Sequence, residues 1–86
     1  MTRQTFINRL NNHRAVNYRY TNAGLAGLVN IWFYESTFVL TWEECIDGDQ
    51  SNEDNYTRDE RYEFPNVDTL INFLDKAEIE IELFAP

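Results

Sequence analysis

Two runs in the middle of the chain constrain the fold most: LVNIWFYES, residues 28–36, and TFVLTWEE, residues 37–44. Val29, Ile31 and Phe33 alternate with Leu28, Asn30, Trp32 and Tyr34, and Phe38, Leu40 and Trp42 alternate with Thr37, Val39 and Thr41. A period of two with β-branched and aromatic residues specifies strands, and the short YES link between the runs specifies a hairpin. These are the central strands of an antiparallel sheet. Helix should cover one face, while Trp32 and Tyr34 leave the other partly apolar and available for function.

The flanking sequence supplies the cover. TRQTFINRLNNHRAV reads as an amphipathic helix because Phe6, Ile7, Leu10 and His13 share a face, with His13 at the border of the core. VNYRYT reads as a short strand with Val16, Tyr18 and Tyr20 on one side, and NAGLAG as a bend. RDERYEF re-enters the sheet as a charged edge strand, where charge deters unwanted pairing. After Pro65, Asn66 is the expected N-cap of a helix over VDTLINFLDKA, with Val67, Leu70, Ile71 and Leu74 as its apolar stripe and Asp68 in its first turn. EIEIELF alternates strictly, so a last strand is expected that buries Ile79, Ile81 and Leu83 and lines up Glu78, Glu80 and Glu82; extension of the helix is the alternative. The expected fold class is α+β: an antiparallel sheet of three to five strands, an N-terminal helix and a helix near the C-terminus, in one domain over residues 1–86.

Eighty-six residues leave little room for a deep substrate cavity beside a core, which disfavours an enzyme. The lone Cys45 forms no internal disulfide, and no leader or long apolar run is present, so a cytoplasmic protein is expected. The formal charge of −8 disfavours direct binding to nucleic acid or to an anionic membrane. A basic protein is the expected partner.

The charge is divided unequally along the chain. Residues 1–34 carry Arg3, Arg9, Arg14 and Arg19 and no acid, a balance of +4; residues 35–86 carry all fifteen acids against Arg58, Arg61 and Lys76, a balance of −12. Attraction between the two halves is one reading of this pattern. An interaction surface is the other.

IDGDQSNEDNYTRDERYEF, residues 46–64, concentrates the acids. Asp47, Asp49, Ser51 and Glu53 alternate as oxygen donors, but neither calcium-loop register closes: from Asp47 the glycine position holds Asn52 and the closing position Arg58, and from Asp49 they hold Asp54 and Glu60. No metal or other cofactor is therefore expected. His13, Cys45 and Asp47 have no spacing that makes them a nucleophile and base, and the glutamates before Cys45 oppose thiolate formation. What remains is an anionic surface. Its candidate partner-binding residues are Asp47, Asp49, Glu53, Asp54, Tyr56, Asp59, Glu60, Tyr62, Glu63, Glu78, Glu80 and Glu82, with the two tyrosines as rigid contacts. In a strand, Glu78, Glu80 and Glu82 would repeat at about 6.7 Å, roughly every other phosphate of one DNA strand.

Helix TFINRLNNH, strands VNYRYT, LVNIWFYE and TFVLTWEE, and the acidic stretch DGDQSNEDNYTRDE follow one another in an order that resembles small acidic phage-encoded proteins, especially anti-CRISPR inhibitors of Cas nucleases that imitate DNA. The resemblance lies in topology and composition, without a shared residue motif. It implies a non-enzymatic inhibitor that binds the basic nucleic-acid-binding surface of a CRISPR-Cas effector or similar nuclease and blocks nucleic-acid access. An antitoxin or immunity protein masking a basic toxin demands the same electrostatics and is the alternative, ahead of a small calcium-binding module or an enzyme.

Overall fold

A computed structural model describes residues 1–86 and has the α+β architecture expected from the sequence. Helix α1 (Arg3–Asn11) precedes strands β1 (Val16–Asn22), β2 (Leu25–Tyr34), β3 (Thr37–Ile46) and β4 (Arg58–Phe64), and helix α2 (Val67–Lys76) follows them. The strands form one antiparallel sheet in the order β1-β2-β3-β4. No helix is long and apolar enough to cross a membrane.

Both inner hairpins close through two-residue turns whose residues all have positive φ: Ala23 and Gly24, then Glu35 and Ser36. Turns of this hand match the twist of the strands they join. Of the two glycines of NAGLAG the first turn takes only Gly24, because β2 starts at Leu25 and takes Gly27 into the sheet. Gly27 lies opposite Tyr20, and any Cβ there would collide with the Tyr20 ring.

The register sorts the strand residues onto two faces. Val16, Val29, Ile31, Phe38 and Leu40 are buried on one of them, beneath Phe6 and Leu10 of α1 and Leu70 and Leu74 of α2. Thr2 caps α1 by accepting from Thr5 N at 3.1 Å, and Asn66 caps α2 by accepting from Thr69 N at 3.0 Å, so each satisfies a backbone donor that the helix leaves free. α1 is shorter than its amphipathic run: His13 adopts φ 59 just past the helix, is exposed and stacks on Phe33 at 5.3 Å.

The strand expected over EIEIELF does not form, and α2 does not continue through it. Glu78 leaves α2 at φ 58, Ile81–Leu83 make one 3-10 turn, and only Ala85 pairs with β1, exchanging both backbone bonds with Asn17 at 2.9 and 2.7 Å. Ile79 and Ile81 are buried as the alternation requires, but Leu83 is 52% exposed and Phe84 takes the core position against Phe6. The evenly spaced ladder of Glu78, Glu80 and Glu82 is therefore absent.

Candidate acidic interaction site

The β3–β4 connection, residues 47–57, is an ordered loop held largely by its own polar groups. Asp49 N donates to Ile46 O, Asn52 N to Asp49 O and Tyr56 N to Glu53 O, and Glu53–Asn55 form a 3-10 turn. Asp47 accepts from Gln50 Nε2 at 3.0 Å and Asp49 from Asn55 Nδ2 at 3.0 Å, while the Tyr56 hydroxyl donates to Gln50 O at 2.6 Å. Short polar side chains that bond their own backbone favour such compact turns. Glu53 and Asp54 are left exposed at the tip.

The neck of the loop is clamped to the helical side of the sheet. Glu44 is the last residue of β3 paired with β4, and Arg58 opens β4 directly opposite it. Arg58 Nε donates to Glu44 Oε1 at 3.0 Å, its Nη1 reaches Glu60 Oε1 at 3.3 Å, and its guanidinium lies 3.9 Å from the centre of the Trp42 ring. Glu44 also accepts from the Tyr20 hydroxyl, which in turn accepts from Trp42 Nε1 at 2.9 Å. Burial and then the bond to Glu44 push Tyr20 up to about 12. Thr57 N closes the neck on Glu44 O at 2.8 Å.

The period of β4 divides the acids of residues 58–64 between the two sides of the sheet. Asp59 and Glu63 lie exposed on the face that no helix covers, alongside Glu43 and Arg61. Glu60 and Tyr62 face the helices. Glu60 is taken up by Arg58 and by the Tyr62 hydroxyl, which donates to it at 2.7 Å, and Tyr62 packs on Phe73 of α2 at 4.6 Å. The bond to Glu60, and then burial, hold the Tyr62 hydroxyl above its usual range. Glu60 and Tyr62 are thus engaged within the fold. Tyr56 instead shares the uncovered face with Cys45, Glu43, Leu28 and Arg19, where they border a depression of about 510 Å³.

Glu78, Glu80 and Glu82 lie in the helical layer, grouped with Arg3 and Asp75, and Glu82 O accepts from the Met1 amino group at 2.8 Å. The sheet stands between these three acids and the Asp59–Glu63 face. The carboxylates brought together by the fold are those of the loop, Asp47, Asp49, Glu53 and Asp54, continued by Asp59 and Glu63.

Attraction between the oppositely charged halves is not realised as ion pairs. Arg58 is the one cation within 4.0 Å of a carboxylate and takes Glu44 and Glu60, so thirteen of the fifteen acidic side chains have no cation at that distance. Arg9 Nε is buried with no hydrogen-bond partner. The Glu44–Arg58 clamp was not visible in the sequence, because fourteen residues separate its members and only the β3–β4 register joins them.

His13 and Cys45 are not brought together. Seven residues along β3 separate Phe38, whose neighbour Phe33 stacks with His13, from Cys45, a strand distance of roughly 23 Å that keeps the imidazole from the thiol. Burial, then Asp49, Asp47 and Glu43, push the Cys45 thiol up, away from the nucleophilic form. No three His, Cys, Asp or Glu side chains converge as a metal centre would require. Comparison with protein-family models, curated proteins and solved structures yields no match for this chain.

Proposed function

We propose that the chain is a non-enzymatic inhibitor that occupies the basic nucleic-acid-binding surface of a CRISPR-Cas effector or a similar nuclease and blocks access of nucleic acid. The observation that carries this reading is the β3–β4 loop, whose backbone is fixed by internal bonds while Glu53 and Asp54 project without cationic partners. An ordered loop loses less conformational entropy on binding than a disordered acidic tail, and uncommitted carboxylates steer a basic groove towards it. Asp59 and Glu63 extend the same surface along β4. The C-terminal trio engages only a partner that also reaches the helical layer.

The test is charge reversal of groups that do not hold the fold together. Glu53→Lys, Asp54→Lys and Glu63→Lys combined should weaken binding to the captured nuclease at least about ten-fold, while the melting temperature stays within a few degrees, because exposed charges contribute little to stability. Retained affinity in the folded triple variant would overturn the assignment. Capture of a small basic toxin instead of a nuclease would move the reading to an immunity protein.

A further inference from the structure

The uncovered face of the sheet carries a charge pattern that is complementary to itself. One row across the four strands reads Arg19, Leu28, Glu43, Asp59; the next reads Asn17, Asn30, Thr41, Arg61; the third contains Trp32, Val39 and Glu63. The cation of the first row lies on β1 and its acids on β3 and β4. Arg19 makes no ion pair within the chain, since its row-mates Glu43 and Asp59 are two and three strand spacings of about 4.8 Å away.

We propose that this face binds a second copy of the same chain, sheet against sheet, about a two-fold axis running along the strands between β2 and β3. Such an axis sets β1 of one copy over β4 of the other and leaves the level along the strands unchanged. Arg19 then meets Asp59 of the second copy, with Glu43 one strand away. A two-fold axis across the strands would instead stack β4 on β4 and oppose like charges, so the pattern selects one arrangement. Shape points the same way. The depression on this face has Arg19, Thr21, Ala26 and Leu28 on its β1–β2 side and Tyr56 on the other, and the strand-parallel axis brings each Tyr56 over the β1–β2 side of its counterpart.

Strands of seven, ten, ten and seven residues give a footprint of roughly 540 Å² per copy at about 3.3 Å per residue and about 4.8 Å per strand. The total of roughly 1,100 Å² lies at the small end of specific interfaces, which makes a weak, concentration-dependent dimer. The charge of −8 on each copy opposes approach, and salt at about 0.15 M screens that long-range repulsion.

Sedimentation equilibrium of the full chain in such salt, from about 1 µM to about 1 mM, tests the proposal. The weight-average mass should climb from 10.2 kDa towards twice that value and no further. Arg19→Asp and Asp59→Arg should each weaken the dimer at least about ten-fold, and the variant carrying both should return to within about three-fold of the wild type, since the pair is restored with its signs exchanged. A wild-type mass constant at 10.2 kDa would overturn the proposal without any variant. So would growth past the dimer, single variants that associate as the wild type does, or a double variant that fails to recover.

Discussion

Tyr20 makes three contacts at once: its ring covers Gly27, its hydroxyl donates to Glu44, and the same oxygen accepts from Trp42 Nε1. Glycine at 27 is what lets the ring lie against the strand. Gly27→Ala should displace the ring and break both hydrogen bonds, lowering unfolding free energy by about 1–3 kcal/mol as overpacking does; denaturant unfolding at the wild-type midpoint would contradict this contact. The same tyrosine links stability to pH. Its folded value near 12 exceeds the ordinary value near 10, so the folded state holds the proton more tightly than the unfolded chain. That contribution is complete below about pH 10 and is lost as pH rises towards about 12. Ultraviolet titration should show a late phenolate that Tyr20→Phe removes, and loss of no late component in that variant would contradict the assignment.

At the level of elements, the acidic loop depends on its neck more than on its tip. Removing the Arg58 guanidinium leaves Glu44 and Glu60 without a cation and uncovers the Trp42 ring. Arg58→Met should therefore speed hydrogen exchange at Thr57 N, which bonds to Glu44 O, at least about ten-fold, while amides of the β2–β3 core keep their protection. Unchanged exchange at Thr57 would show that the loop stands without the clamp. Much of this architecture is legible in the sequence because it follows from local period and capping: β2 alternates as expected, β3 pairs beside it although Val39 and Cys45 are buried on its other face as well, β4 is the charged edge strand, and Asn66 caps α2. The C-terminal segment shows where period stops informing. Alternation put Ile79 and Ile81 inward, as found, but it does not supply a backbone partner, and β1 exchanges bonds with Ala85 alone. In the sequence Gly27 has the look of a bend residue, because its contact with Tyr20 is set by pairing across β1 and β2. In the candidate site, the sequence located the loop acids, whereas the engagement of Glu60 and Tyr62 within the fold depended on which face of β4 they occupy.

Across the whole molecule, charge is segregated and largely uncompensated. The four N-terminal arginines pair with no acid, and Arg58 serves the sheet instead of the loop tip. Under the proposed function, affinity for a basic groove would come from long-range attraction and persistence from apolar contact, so binding should weaken as salt is raised without vanishing. Competition tests the proposed function most directly: the chain is titrated into its captured nuclease while labelled duplex DNA is followed by fluorescence anisotropy. Occupation of the nucleic-acid groove by the loop requires that the chain release DNA in proportion to its own binding, that excess DNA release the chain, and that the Glu53→Lys, Asp54→Lys, Glu63→Lys variant do neither. A ternary complex in which chain and DNA bind together with undiminished affinity would contradict it.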